Sequence, residues 1–203
     1  KYNPDGTLAW AKRAGGGNNE RGWDISTLSD GSAIVTGDFV GSAATFGAGE
    51  VNETDLTSAG SNDIFIAKYN PDGTLAWAKS AGGGSDDQSY GISALSDGSA
   101  IVTGYFSSAA TFGSGEANET DLSSAGVRDI FIAKYNPDGM LNWAKKAGST
   151  SDDYSCDISA LSDDSVLVTG CFEATATFGA GDANETTLDS YGGFDIFIAK
   201  YNP

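Results

Sequence analysis

The chain has 203 residues, of which 39% are hydrophobic, and a chain of this length can bury about 70% of the surface that it exposes when unfolded. Only 11 basic residues stand against 28 acidic ones, and the net charge of −17 disfavours nucleic acid and anionic membranes, which bind through lysine and arginine clusters. No apolar run approaches the length of about 18 residues that a spanning helix requires, so we expect neither a nucleic-acid partner nor membrane insertion.

The tetrapeptide Lys-Tyr-Asn-Pro opens the chain and recurs at residues 68, 134 and 200. Three repeats of about 66 residues therefore fill the sequence. We divide the chain at these points into three repeats of one domain. The predicted units are residues 1–67, 68–133 and 134–199, with residues 200–203 beginning a fourth copy.

A hairpin from Asp63 to Lys79 is the most regular part of each repeat. Large apolar side chains alternate with small or polar ones up to Tyr69, and the strand resumes at Thr74. Between them stands Asn-Pro-Asp-Gly, in which proline presets the second position of a type I turn and glycine accepts the positive φ that follows. The pattern predicts two antiparallel strands joined by a tight turn.

The second repeat contains four predicted strands. They are Thr74 to Ser80, Tyr90 to Leu95, Ala100 to Phe106 and Asp129 to Tyr135, with a looser arm before the last one. The strands carry apolar or small residues on both faces, which indicates stacked sheets. We predict an all-β fold of four-stranded propeller blades. Because propellers usually have about 4 to 8 blades, three repeats predict a partial propeller, closed by further repeats or by oligomerisation.

The motifs of the repeat appear in a characteristic order. They read FIAKYNPDGTLAWAK, then AGGGSDDQSYGIS, then LSDGSAIVTGYF. This order resembles the bacterial seven-bladed β-propeller repeat family, in which an F-x-A-K strand, a D-G turn, an L-x-W strand, a G-G-x-x-D-D loop and a V-x-T-G-Y strand follow one another. The resemblance covers all three repeats. It implies a bacterial propeller of extracellular or surface-associated location, without a defined activity.

The residue types argue against catalysis. The chain has no histidine, which removes the commonest general base and the commonest zinc ligand. A glycosidase needs only two carboxylates, so a carbohydrate-active hydrolase remains an alternative. Most acidic residues recur in every repeat, however, and such a feature is better explained as part of the blade. We expect a non-enzymatic protein without a cofactor.

Acidic pairs in the glycine-rich loops are the only candidates for a metal site. These residues are Asp86, Asp87, Asp152 and Asp153. One interpretation is that their carboxylates cap turns by accepting backbone N–H bonds. The alternative is calcium, which prefers hard oxygen ligands, although the D-x-D-x-D-G spacing is absent.

Three Asn-Glu-Thr sequences are N-glycosylation sequons, at Asn52, Asn118 and Asn184. Because they descend from one repeated motif, they count as one observation. The alternative interpretation is that these asparagines are turn residues.

The two cysteines, Cys156 and Cys171, flank the turn at Asp163 and Asp164. A two-residue loop would place them opposite each other, and a bulge would make them diagonal neighbours. We predict a disulfide, which would fit an oxidising, extracytoplasmic setting.

Residues that differ between repeats at equivalent positions are the candidates for ligand specificity. They are Arg21 and Trp23, Gln88 and Tyr90, and Tyr154 and Cys156, which we place in loops. We predict a secreted or cell-surface scaffold that binds or adheres to a protein or a glycan.

A second class of function follows from the two ends of the sequence. The predicted strands Thr7 to Lys12 and Asp195 to Tyr201 each represent half of the repeated hairpin. Unpaired strand edges invite pairing with another chain. The alternative prediction is therefore self-association through open end strands, giving a structural ring or fibre.

Overall fold

The structure, a computed structural model, describes residues 1–41 and 43–202. In this part of the chain, seventeen strands, joined by turns and loops, make up the regular structure, so the fold is all-β as predicted. Among the same residues there is no helix with the length and hydrophobicity needed to cross a membrane.

The strands form three antiparallel blades, and each blade carries a short hairpin between its second and third strands. Blade 1 and its hairpin comprise β1 (Glu20–Thr27), β2 (Ala33–Val40), β3 (Ala44–Phe46), β4 (Thr54–Leu56), β5 (Asn62–Tyr69) and β6 (Leu75–Gly83). Blade 2 comprises β7 (Gln88–Ala94), β8 (Ala100–Phe106), β9 (Ala109–Phe112), β10 (Thr120–Ser123), β11 (Asp129–Tyr135) and β12 (Leu141–Ala147). Blade 3 comprises β13 (Tyr154–Ala160), β14 (Val166–Phe172), β15 (Thr175–Phe178), β16 (Thr186–Asp189) and β17 (Asp195–Tyr201).

The spatial order of the strands is β1-β2-β5-β6 in blade 1, β7-β8-β11-β12 in blade 2 and β13-β14-β17 in blade 3. The β9–β10 hairpin pairs with the end of β6, so the sheet of blade 1 continues as β1-β2-β5-β6-β9-β10. The hairpin of β5 and β6 has the predicted turn, with Gly73 at a φ of +87° and a 2.8 Å bond from the Asn70 N–H to the Thr74 carbonyl. This hairpin lies within a blade. The repeat boundaries at 67/68 and 133/134 therefore fall inside β5 and β11, and the blades are one strand out of phase with the sequence repeats.

One predicted strand needs correction. Residues 7–12 do not form a strand; Leu8 makes an isolated bridge to Tyr2, and the next isolated bridge joins Gly15 to Thr45. The physical reason is that β6 is held by its neighbour β5, whereas residues 7–12 pair with no strand among the described residues. Blade 3 contains the three strands β13, β14 and β17 among the described residues, and Pro203 lies outside them.

The hydrophobic core lies between the blades. Ile64 and Ile66 of blade 1 pack in one cluster with Ile92 and Phe131 of blade 2, and an equivalent cluster joins blade 2 to blade 3. This arrangement explains why the strands are apolar on both faces. Stacked antiparallel sheets with repeated interfaces are the arrangement of propeller blades.

Buried hydroxyl pairs recur in the same two interfaces. Thr36 of blade 1 and Ser89 of blade 2 place their hydroxyl oxygens 2.6 Å apart. Thr103 and Ser155 repeat the contact between blades 2 and 3, at 2.7 Å. Each serine also donates to a backbone carbonyl of the preceding blade, so these buried polar groups are satisfied.

Tryptophan side chains also connect consecutive blades. The Trp77 indole on β6 donates a 3.0 Å hydrogen bond to the carbonyl of Pro137 in the next hairpin turn. The indole lies against Gly139 of that turn, where a Cβ would come within 2.6 Å of a ring carbon. Trp10 makes the same bond to Pro71. These tryptophans therefore pack between blades.

Candidate binding site

The first strand of every blade carries a β-bulge at the same position. The strand pairing skips one residue between Gly22 and Asp24 in β1, and the equivalent residue in β7 and β13. The skipped residues are Trp23, Tyr90 and Cys156. A bulge re-aims the side chain of its extra residue and is over-represented next to functional sites. Three of the predicted specificity residues thus occupy one structural position, on strands rather than in loops.

The three bulged strands are brought together by hydrogen bonds between blades. The carboxylate of Asp24 on β1 accepts a 2.8 Å bond from the Ile92 N–H on β7. The hydroxyl of Ser93 on β7 accepts a 3.0 Å bond from the Ala160 N–H on β13. Each first strand is an edge of its sheet, so the edges of all three blades meet along one line and their bulges gather at one end of it.

Aromatic rings extend across this end of the molecule. The Trp23 and Tyr90 rings meet edge to face with centroids 5.6 Å apart, and Tyr90 is 5.9 Å from Tyr105. Tyr154 and Phe194 form a further edge-to-face pair at 5.5 Å. We call these five residues the aromatic face. Trp23 and Phe194 are each nearly half exposed, which leaves part of this surface accessible to a ligand.

Charged groups surround the aromatic face. The Asp38 carboxylate is fully buried and accepts a hydrogen bond from the Trp23 indole N–H, and its second oxygen is 3.7 Å from the Arg21 guanidinium. Burial raises the pKa of Asp38, and the Trp23 and Arg21 contacts oppose this shift. The Arg128 guanidinium lies 4.6 Å above the Tyr105 ring and 3.7 Å from the Asp152 carboxylate.

The remaining predicted specificity residues adjoin this surface. Arg21, Gln88 and Tyr154 lie two positions before the bulges. Gln88 accepts a 2.8 Å hydrogen bond from the Tyr90 hydroxyl, and burial raises the pKa of that phenol. Tyr105, Arg128 and Phe194 were missed by the sequence reasoning. Arg128 and Phe194 stand at the position of Asn62 in blade 1, a difference between repeats that could have drawn attention to them.

The predicted disulfide is not present, because Cys156 and Cys171 are both free thiols. The bulge places Tyr154 opposite Cys171 and leaves Cys156 without a direct cross-strand partner. The diagonal arrangement, the other alternative from the sequence, is the observed one. Burial raises the pKa of the Cys156 thiol, and the neighbouring Cys171 raises it further.

The acidic pairs of the glycine-rich loops act as backbone caps. Asp87 is fully buried and accepts N–H bonds from Gly83 at 2.7 Å and Ser107 at 2.9 Å. Asp153 does the same with Ser149 and Glu173, while Asp86 binds Asn62 and Asp152 faces Arg128. Within residues 1–41 and 43–202, no three potential metal ligands come together. The geometry therefore supports capping for Asp86, Asp87 and Asp153, and an ion pair with Arg128 for Asp152.

Two of the three sequon asparagines, Asn52 and Asn118, hold the outer strand of a blade. Asn52 donates to the carbonyl of Leu75 at 3.1 Å, and Glu50 accepts from the N–H of the same leucine at 2.5 Å. We call this pair of side chains the leucine clamp. Blade 2 repeats it with Asn118 and Glu116 around Leu141, at 3.2 and 2.6 Å. The clamp gives the asparagines a structural role, and their glycosylation stays a prediction.

Comparison with known proteins points in the same direction as the fold. A family described as "Domain of unknown function (DUF5122) beta-propeller" matches residues 53–75. This stretch begins directly after Asn52 and includes β5 and the turn that follows it. An uncharacterized WD repeat-containing protein of Acanthamoeba polyphaga mimivirus, L264, is 27% identical over 185 residues. That alignment covers 87% of this chain and 13% of the viral protein, so the chain spans a small part of its relative. The two matches indicate a β-propeller repeat family in general.

Proposed function

We propose that this β-propeller repeat chain is a non-enzymatic binding or adhesion scaffold, which takes a glycan or protein ligand on the aromatic face. The observation that carries the proposal is the set of bulge residues, because three blades of the same backbone place three different side chains, Trp23, Tyr90 and Cys156, at one position. Residues that serve only blade packing, such as the tryptophans at 10, 77 and 143, are identical between repeats.

The chemistry of the face suits recognition. Tryptophan and tyrosine combine a large apolar surface with a polar group, and together with arginine they are the residues that contribute most to binding interfaces. Arg21, Gln88 and Arg128 add hydrogen-bond donors around the rings. A sugar ring or an aromatic-rich peptide could pack on Trp23 while its polar groups bond to these side chains.

We further infer that the repeats are of the bacterial seven-bladed type and that the protein works outside the cytoplasm, secreted or at the cell surface. Support for this location is the resemblance of the repeat motifs. The two cysteines give no support for an extracytoplasmic location, because only a disulfide would indicate an oxidising compartment and both thiols are free.

A glycan array tests the first ligand class. The labelled chain should bind one or more glycans, and the Trp23→Ala variant should lose at least tenfold in signal. The control is Tyr2→Ala, which removes an exposed aromatic ring that is not part of the aromatic face and should bind normally. Loss of binding in both variants would place the site elsewhere.

A displayed random peptide library tests the protein class. Peptides selected on the wild-type chain should include a group that does not bind Trp23→Ala. If neither the array nor the library yields binding that depends on Trp23, the proposal is refuted.

A further inference from the structure

Two buried carboxylates meet at the junction between blades 1 and 2. Asp63 lies on β5 and is 3% exposed, and Asp87 lies directly before β7 and is completely buried. A Cβ added to Gly82 would come within 2.6 Å of the Asp63 Oδ1 atom and 3.0 Å of the Asp87 Oδ2 atom. Gly82 has a φ of +145°, so glycine both adopts this backbone conformation and leaves room for the two carboxylates. Both side chains are therefore directed at one place beside Gly82.

The negative charge of this pair is not balanced by a cationic side chain. The Asp63 Oδ1 atom is buried and has no hydrogen-bond partner among the described residues. The other oxygen of Asp63 accepts an N–H bond from Ala59, and the two oxygens of Asp87 accept N–H bonds from Gly83 and Ser107. In the described part of the chain, no lysine or arginine forms an ion pair with either carboxylate. Burying charge without a compensating partner is costly, so this place favours a bound cation.

The equivalent pair at the junction between blades 2 and 3 has such a partner. Asp129 and Asp153 approach Gly148 in the same way, with carboxylate oxygens 3.0 and 3.1 Å from an added Cβ. The Asp129 Oδ1 atom is again without a hydrogen-bond partner, but the Lys146 ammonium lies 3.4 Å from the other oxygen of this carboxylate. Lys146 occupies on β12 the position that Ser80 occupies on β6. The first junction therefore has the same pair of carboxylates without the cation of the second.

We propose that a calcium ion binds between Asp63 and Asp87 and supplies the positive charge that Lys146 supplies at the next junction. Two carboxylates balance the charge of one divalent cation. The capping bonds of Asp87 use only one lone pair of each oxygen, so its carboxylate can still bind a cation. Calcium also takes backbone carbonyl groups and water as ligands and tolerates irregular geometry, so a site with only two carboxylates suits it.

This site differs from the acidic pairs that the sequence suggested. Asp87 acts with Asp63 of β5, which is distant in sequence, and not with its neighbour Asp86. The two carboxylates belong to consecutive blades, so bound calcium stabilises the junction between them. The site does not depend on the aromatic face, and the two proposals can therefore fail separately.

Calorimetric titration of the 203-residue chain with calcium chloride tests the proposal. The chain is first treated with a chelator and then titrated at about pH 8, where carboxylates are ionised, in about 0.15 M sodium chloride, which screens attraction to the acidic surface. The wild type should bind one calcium ion per chain. Asp63→Asn removes one of the two charges and Ser80→Lys places an ammonium group at the position of Lys146, so each should weaken binding by about tenfold or more.

Asp121→Asn is the matched control, because Asp121 is exposed on β10 and this variant should bind calcium like the wild type. Circular dichroism should confirm that all the variants are folded. Absence of calcium binding by the wild type would overturn the proposal. Equal affinities of the wild type, Asp63→Asn and Ser80→Lys would also overturn it, because they would indicate general attraction to the acidic surface.

Thermal unfolding gives a second measurement. Because the proposed site forms only when the two blades pack together, calcium at about 100 times its Kd should raise the Tm of the wild type by about 5–10 °C. The Ser80→Lys variant should show little or no rise in Tm under the same conditions. An equal rise in the wild type and in Ser80→Lys would contradict the proposed position of the ion.

Discussion

Replacing Gly139 by alanine tests the packing of tryptophan between blades. Gly139 has a φ of +86°, and a Cβ at this position would lie 2.6 Å from a ring carbon of Trp77. Gly6 is the equivalent residue of the first turn, with a φ of +84° and no atom within 4 Å of the added carbon. Alanine in the left-handed region costs about 1–2 kcal/mol at either site. Displacing a packed side chain adds about 1–3 kcal/mol at Gly139 alone.

The difference between the two variants is therefore the informative quantity. Gly139→Ala should lower the free energy of unfolding by about 1–3 kcal/mol more than Gly6→Ala, as the crowding of the indole predicts. For a chain of this size, each kcal/mol corresponds to a decrease in Tm of about 2–4 °C. Thermal and urea unfolding followed by circular dichroism, at a concentration at which the chain is monomeric, would measure it. Equal destabilisation by the two substitutions would refute the packing of Trp77 on the turn.

Three further predictions concern stability and thiol chemistry. Burial raises the pKa of Asp63 to about 6 and that of Asp87 to about 7. The folded state therefore holds protons that the unfolded chain releases above about pH 4, and Tm should fall between about pH 5 and pH 8. A rise in Tm over this range would contradict the prediction. Thr103→Val should lower the free energy of unfolding by about 1–3 kcal/mol, because the buried Thr103 hydroxyl joins two blades. Thr169→Val, at the exposed equivalent site, should lower it by less. Equal losses in urea unfolding would contradict the role of the Thr103 hydroxyl in the interface. A thiol reagent should label two cysteines per native chain. The labelling rate of Cys156 should increase as the pH rises towards the raised pKa of its thiol. No labelling before reduction would indicate a disulfide.

The sequence predicted the parts of the fold that depend on local chemistry. Asn70 to Gly73 form the expected turn because proline fixes one φ angle and glycine accepts the positive one, and the strands predicted for the second repeat occur as β6, β7, β8 and β11. The repeat length was also sufficient to predict stacked blades. The phase of the blades was missed although the hairpin was predicted, because the repeats were divided at the Lys-Tyr-Asn-Pro motif, which lies inside that hairpin, whereas the pairing of β5 with β6 keeps both strands in one blade.

The sequence predicted some residues of the candidate site and did not predict its geometry. Comparison of the repeats identified Trp23 and Tyr90, but placed them in loops, because a bulge is a property of two paired strands and leaves no mark on one of them. The equivalent bulge in β13 places Tyr154, and not Cys156, opposite Cys171. The contact of Arg128 with Tyr105 joins residues far apart in the chain, so the spacing of motifs could not reveal it.

The most direct test of the binding proposal is a titration of the ¹⁵N-labelled chain with the strongest ligand from the array or the library. The chain has four tryptophans, at 10, 23, 77 and 143, and each gives one indole N–H signal. The proposal predicts that the Trp23 signal shifts in proportion to occupancy, while the signals of the three tryptophans outside the aromatic face stay in place. A saturating titration that leaves Trp23 unchanged and shifts Trp10 or Trp143 would contradict it.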